Sequence, residues 1–380
     1  MDKNKCNALN EVLERIATEL SITDDMITKA EDSYKAVGKW LGDGIEYNLT
    51  MIPQGSMGLG TTIKPISDED DYDIDIVVLL SNGQTLTAYQ IKNLIGDRLK
   101  ENKFYAEKLK QEGEGKRCWK MQYNEFHMDL LPSVPKSLYD YPTITDIRLT
   151  HKDDNGVYVD RYSNPEGYRI WFEKRMLNIL EIRKRDYSIR NQVELKEVPT
   201  YRVKTPLQMA IQLLKRHRDI MFKDNSEIAP ISIIITTLAA HAYNGEENLF
   251  VALNSIVNKM EKYIVIREGQ YFIYNPVMAD ENFADKWASN DELRKAFFRW
   301  LSRIKNDLLF NNIDGIDEYA NVFRSMFGDR PVTRAMNKYG DDLKKARECG
   351  TLKTKGLCDE LVITSNIGVV TNRQHTFFGE

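Results

Sequence analysis

The 380-residue chain has four cysteines, Cys6, Cys118, Cys349 and Cys358, and they form neither a CxxC pair nor a Cys/His spacing. That argues against a structural zinc and a disulfide framework, and for free thiols in a reducing compartment. Long apolar runs are lacking as well. The most apolar stretch, residues 228–243, is interrupted by Pro230, Ser232, Thr236, Thr237 and His241 and is too short to span a bilayer. The opening MDKNKCNALNEVLER has no apolar leader, so a soluble cytoplasmic protein with no membrane partner is expected. Positive charge is not in excess either: 53 Lys and Arg face 57 Asp and Glu, for a net charge of −4 and a pI near 5.9. No global basic field marks a long nucleic-acid partner or an obligatory template. Internal repeats and low-complexity tracts are absent, and the length suggests two lobes.

What is present centres on residues 54–80, QGSMGLGTTIKPISDEDDYDIDIVVLL. Gly55-Ser56 places a hydroxyl in a Gly-rich turn. The acidic pair Asp73-Ile74-Asp75 then runs into Ile76-Val77-Val78-Leu79-Leu80, a β-branched run that reads as a buried strand. Residues two apart on a strand share a face, so Asp73 and Asp75 project side by side, roughly 6.6 Å apart at Cα. At that range two carboxylates repel by about 2–3 kcal/mol at an effective dielectric of about 20. A divalent cation relieves the repulsion, and an all-oxygen site suits Mg²⁺. Asp68, Glu69, Asp70 and Asp71 read as a solvated acidic turn.

Around this stretch the periodicity predicts an amphipathic helix over about 6–20. A second opens at Ser21-Ile22-Thr23-Asp24 and ends at Gly42-Asp43-Gly44. A strand over 47–52 delivers the chain to Gly55. Thr87 caps a helix to about Asn102, and strands are expected over 104–110, 117–123 and 126–131. The last of these, Phe126-His127-Met128-Asp129-Leu130-Leu131, carries a lone carboxylate that is costly in an apolar strand unless paired or metal-bound. His127 shares its face and reads as structural. From Pro165 the pattern is helical to about Arg185, residues 191–201 read as a connection, and helices follow over 206–222, 230–243 and 248–259. A hairpin over 263–274 and further helices to about Arg347 complete the reading. Lys215 lies in the basic cluster ending one helix, and Ser232 opens the next, where free N–H groups favour an anion.

Gly-Ser followed by an hDhDhhh strand resembles the signature of the polymerase-β-like nucleotidyltransferases. Further pieces narrow the resemblance to the CD-NTases, bacterial relatives of cyclic GMP–AMP synthase: FHMDLLP, NPEGYRIWFEKR, LQMAIQLLKRHRD, APISIIITTLAAHAY, NPVMADENFADKW and FGDRPVTRA. The resemblance implies an α+β fold with a polymerase-β-like core, a mixed sheet flanked by helices, and a C-terminal helical lobe. It divides the chain into N-terminal helices packing on the core (1–45), the catalytic core (46–165), a long helix and connection (166–200), and a helical lobe completing the nucleotide site (201–380). It further implies template-independent joining of NTPs, ATP among them, into a cyclic di- or trinucleotide messenger for antiphage signalling. Asp73, Asp75 and Asp129 would hold two Mg²⁺ ions, with Mn²⁺ able to substitute, and Asp129 would help orient or deprotonate the attacking hydroxyl. Gly55 and Ser56 would grip phosphates, with Gln54 beside them in the nucleotide site, Lys215 and Ser232 would complete that grip, and Arg117 would contact phosphate or base. Other readings remain: a relative that extends RNA or nucleotidylates a protein, or a nonenzymatic nucleotide-binding partner. In the tail, TNRQHTFFGE, Phe377-Phe378 either docks on the helical lobe or is recognised by an operon-encoded regulatory or conjugating protein.

Overall fold

Two amphipathic helices open the chain, and they go to different cores. The computed structural model describes residues 3–67, 71–109, 113–137, 145–309, 316–350, 352–355, 360–363 and 370–371; Asp68, Glu69, Asp70 and the tail pair Phe377-Phe378 lie outside them. Helix α1 (Lys3–Leu20) turns Leu9, Val12, Leu13, Ile16 and Leu20 into the core of the helical lobe. Helix α2 (Asp24–Gly42) turns Ile27, Ala30, Tyr34, Val37 and Leu41 onto the sheet. The expectation that residues 1–45 pack together on the catalytic core is therefore corrected for α1. Apolar spacing fixes which face of a helix is buried, not which neighbour covers it.

Strand β1 (Leu49–Gln54) ends directly in the one-turn helix α3 (Gly55–Gly58), and β2 (Tyr72–Leu80) follows. Helix α4 (Ala88–Glu101) starts at a reciprocal Thr87–Gln90 capping box. Of the strand expected over 104–110, residues 104–109 are helical instead, in α5 (Lys103–Leu109), and Lys110 lies outside the described residues. The Asn102 side chain accepts from the Phe104 N–H (2.9 Å) and restarts the helix, burying Tyr105 and Leu109 one turn apart.

Strands β3 (Gly113–Glu114), β4 (Trp119–Gln122), β5 (Phe126–Pro135), β6 (Ile147–Lys152) and β7 (Tyr158–Ser163) complete a seven-stranded mixed sheet. In it β2 lies between β1, antiparallel, and β5, parallel. The β6–β7 hairpin escapes the sequence reading because both strands carry charged residues and β7 is half-exposed. Its Asn155-Gly156 turn, with Gly156 at φ +80°, is nevertheless a hairpin signal. Along β2 the faces alternate: Tyr72, Ile74, Ile76, Val78 and Leu80 enter the core under α2 and α4, while Val77 and Leu79 join a smaller cluster with Leu131, Ile147 and Leu149. Asp73 and Asp75 belong by alternation to that second face.

The chain then crosses to a helical lobe through α6 (Pro165–Arg175) and α7 (Leu177–Asn191). Helices α8 (Pro206–Met221), α9 (Ser232–Ala242) and α10 (Leu249–Lys259) build its centre. Two small hairpins follow, β8 (Val265–Arg267) with β9 (Gln270–Phe272) and β10 (Tyr274–Asn275) with β11 (Met278–Asn282). The sequence predicts only the first. Helices α11 (Asp291–Asp307), α12 (Ile316–Phe327) and α13 (Asp329–Glu348) close the lobe, where α13 packs on α1. Among the described residues no helix is long and apolar enough to cross a membrane.

Candidate active site

The parallel register of β2 and β5 places Asp75 beside Asp129 and Asp73 beside His127. Aligned residues on neighbouring strands lie about 4.8 Å apart and share a face, so the three predicted carboxylates project from one patch of sheet. Asp73 is exposed, and Asp75 and Asp129 are half-buried. Burial, with Asp129 and Asp73 close by, pushes the Asp75 carboxyl up to about 7 despite the opposing Lys215 charge. Asp129 Oδ2 accepts from the Cys118 thiol (3.2 Å). Burial, then that carboxylate, pushes the thiol itself up to about 12, so Cys118 is a proton donor here and no nucleophile. The buried Lys92 holds the bend before β4 through the Gly115 and Cys118 carbonyls (2.8 and 3.0 Å), which presents the thiol to Asp129.

Gln54, the last residue of β1, pairs with Asp75, and the chain turns at once through Gly55. Gly55 has φ +57°, and a Cβ there would lie 2.6 Å from Asp75 Oδ2. Glycine is thus needed twice over, for the left-handed backbone and for the carboxylate's close approach. Ser56 follows, with its hydroxyl 3.0 Å from that of Thr62.

The Gly-rich loop after Ser56 is held by residues 204–216, running into and along α8, carbonyl by carbonyl. Lys204 Nζ donates to Gly60 (2.8 Å), Gln208 Nε2 to Leu59 (2.9 Å) and Gln212 Nε2 to Thr62 (2.7 Å). Lys215 Nζ donates to the carbonyl and hydroxyl of Thr61 (both 3.1 Å), and Arg216 Nη2 to Lys64 and Pro65 (2.6 and 3.1 Å). Gln208 and Gln212 are fully buried, so this seam ties the catalytic turn rigidly to the helical lobe. Burial, then the Arg218 charge, lowers Lys215 to about 7.

Ser56, Asp73, Lys215 and Ser232 line one recess of about 570 Å³. Arg218 lines it too, donating to the Ser232 hydroxyl (3.1 Å) and the Pro230 carbonyl (2.8 Å). Sequence reading places Arg218 only within a basic cluster; its position three residues after Lys215, on the same helix face, is the signal that singles it out. Arg117 is not brought to this recess. It occupies an exposed bend, and the strand expected to carry it begins at Trp119. Asp71 is no free member of a solvated turn, since Gln122 donates to it and His127 Nε2 lies 3.2 Å away.

The nucleotidyltransferase domain of the DncV-like cyclic GMP–AMP synthases matches residues 50–132, the segment from β1 to Asp129. A c-di-GMP synthase of Roseivirga ehrenbergii is 30% identical over 395 residues, which cover 99% of each chain. The chain belongs to the CD-NTase family. Among solved structures, the CD-NTase CdnG of Bradyrhizobium diazoefficiens, in complex with GTP, superposes with a TM-score of 0.67 at 23% identity, over 86% of this chain and 97% of that one. Escherichia coli MS115-1 CdnC with ATP gives 0.57 at 14% identity, over 84% and 97%. These superpositions show the polymerase-β-like fold. As a CD-NTase the protein is a nucleotidyltransferase, a cyclic oligonucleotide synthase. Family membership also carries a general dependence on divalent metal.

Among the described residues no three His, Cys, Asp or Glu side chains already converge closely enough to enclose a metal. The donor chemistry of the CD-NTase sheet nevertheless fits one. Three carboxylates share a face, and burial, then the two neighbouring carboxylates, lifts Asp75 far above the ordinary carboxylate range.

Proposed function

We propose that this CD-NTase joins two molecules of GTP into c-di-GMP, a second messenger of antiphage signalling, at the site formed by Asp73, Asp75, Asp129 and the Gly55-Ser56 turn. The observation that carries the reading is the alignment of Asp75 with Asp129 beside a left-handed glycine whose Cβ would meet the Asp75 carboxylate. The choice of guanine rests on the full-length likeness to the c-di-GMP synthase.

In each half-reaction a ribose hydroxyl oxygen bonds to the α-phosphorus of the second nucleotide as the bond to pyrophosphate breaks. Asp73, Asp75 and Asp129 would hold two Mg²⁺ ions, which supply Lewis-acid activation of the hydroxyl and charge neutralisation on the leaving group. Asp129 orients the hydroxyl and accepts its proton. The Gly55-Ser56 turn and the Ser232 hydroxyl hold phosphate oxygens, while Lys215 and Arg218 supply positive charge. Repeating the step within the linear intermediate closes the ring and releases a second pyrophosphate.

Incubation with single NTPs and NTP mixtures, followed by mass spectrometry, tests this. GTP alone with Mg²⁺ should yield c-di-GMP; open-chain oligomers or nucleotide on protein as the sole product would refute it.

Lys215→Ala should raise KM for GTP by about 10–100-fold, the worth of a charged hydrogen bond, and lower kcat far less, because that contact exists before and during reaction. Lys215 loses its proton near pH 7 in the empty site and regains it beside a triphosphate. The wild-type KM should therefore climb between pH 7 and 9; Asp75, which titrates near 7, contributes only at the lower end of that range. In Lys215→Ala that limb should be flat. A KM that is unchanged by the substitution would remove Lys215 from the phosphate grip.

A further inference from the structure

A second cleft, of about 670 Å³, opens from the Gln54-Gly55 turn toward the β10–β11 hairpin, which the sequence reading did not anticipate. Asn275 and Glu281 form part of its wall. Asn275 is buried, and both ends of its amide are engaged: Nδ2 donates to Glu281 Oε2 (2.6 Å), and Oδ1 accepts from the Val277 N–H (3.0 Å). The amide can sit only one way round, so it fixes the orientation of the Glu281 carboxylate. Among the described residues no cation pairs with Glu281. Arg169 lines the same cleft, but its guanidinium is committed to Glu166 (2.6 and 2.9 Å) and to Glu173. Phe283 adds an aromatic ring to the lining.

An oriented carboxylate without a cation repels phosphate, so its presence beside the nucleotide turn calls for a ligand that presents N–H donors. We propose that Glu281, positioned by Asn275, reads the Watson–Crick edge of guanine in this cleft. Guanine is the one common base with two adjacent donors on that edge, N1–H and N2–H, which match the two oxygens of a carboxylate. Adenine turns the N1 lone pair to the same place, cytosine the N3 lone pair, and uracil flanks its single N–H with carbonyls. Oε2 keeps a lone pair after accepting from Asn275, so both oxygens remain available. The inference rests on the GTP-using reading above and gives it a residue.

The test compares kcat/KM for GTP, ITP and ATP, since ITP is GTP without the 2-amino group. The wild-type enzyme should favour GTP over ITP by about tenfold or more, as expected when a site built for a donor meets a ligand lacking it. Glu281→Gln should lose about 10–100-fold on GTP and bring the GTP/ITP ratio close to one, because its amide N–H would face the 2-amino group. Glu281→Asp keeps the charge but withdraws it, and should show the same collapse in smaller degree. The ratio is measured within one protein, so a general loss of folded enzyme does not move it. If the wild type uses GTP and both variants keep its GTP/ITP ratio, Glu281 does not read the base. A wild type that rejects GTP but cyclises another NTP overturns the substrate reading, and this proposal with it.

Discussion

Asp75→Asn is expected to abolish product formation while raising the melting temperature of the metal-free protein. The two effects have one cause. The carboxylate is kept where burial and two neighbouring carboxylates oppose its charge, which makes sense only if a bound cation reverses the balance. Asparagine keeps the shape and removes the charge, so activity should fall at least about 10³-fold, the upper end for losing one preorganised charge-stabilising group. The stability change has a defined pH dependence. Folded Asp75 titrates near 7 and an unfolded Asp near about 3.9, so the folded chain holds the extra proton between those values. Stability in the wild type must then fall as pH rises through that window. The gain from Asp75→Asn should be largest at pH 8 and vanish near pH 4. Asp73→Asn should be equally inactive but gain little stability, because Asp73 is exposed. Wild-type turnover by either variant in Mg²⁺ would sink the assignment.

Gly55→Ala should be nearly as damaging without touching a charged group. At φ +57° a side chain costs about 1–2 kcal/mol, and the new methyl would stand 2.6 Å from Asp75 Oδ2. The carboxylate must move, or β1 must pull away from β2 at the Gln54–Asp75 pair. We expect kcat to fall about 100-fold or more, as misplacement of a reacting group by about 1 Å does, with the melting temperature lowered. The direction of the stability change separates the two variants: Asp75→Asn up, Gly55→Ala down, both inactive. A Gly55→Ala protein with wild-type kcat would mean that Asp75 and the turn are not one unit.

Much of this centre is legible in sequence because it breaks local rules. Asp73 and Asp75 interrupt a β-branched run, Asp129 interrupts another, and Gly55 precedes a serine where a strand should end, so each announces a requirement other than packing. Gln208 and Gln212 do the opposite. They are buried, yet in sequence they sit among apolar residues as ordinary helix formers, and only the loop they hold reveals their work. Cys118, alone and unmotivated by spacing, gives no hint that its thiol meets Asp129. The assignment of α1 to the wrong lobe and the missed β10–β11 hairpin have a common origin. Periodicity reports a buried face or an alternation, and the identity of the covering partner is a long-range property.

The most direct test of the central claim is anomalous diffraction from crystals grown with Mn²⁺ and a nonhydrolysable GTP analogue. The account predicts manganese peaks bounded by the carboxylates of Asp73, Asp75 and Asp129, with the triphosphate running from them to Ser56 and Lys215 and the guanine against Glu281. Nucleotide bound with no manganese at those three carboxylates would contradict it.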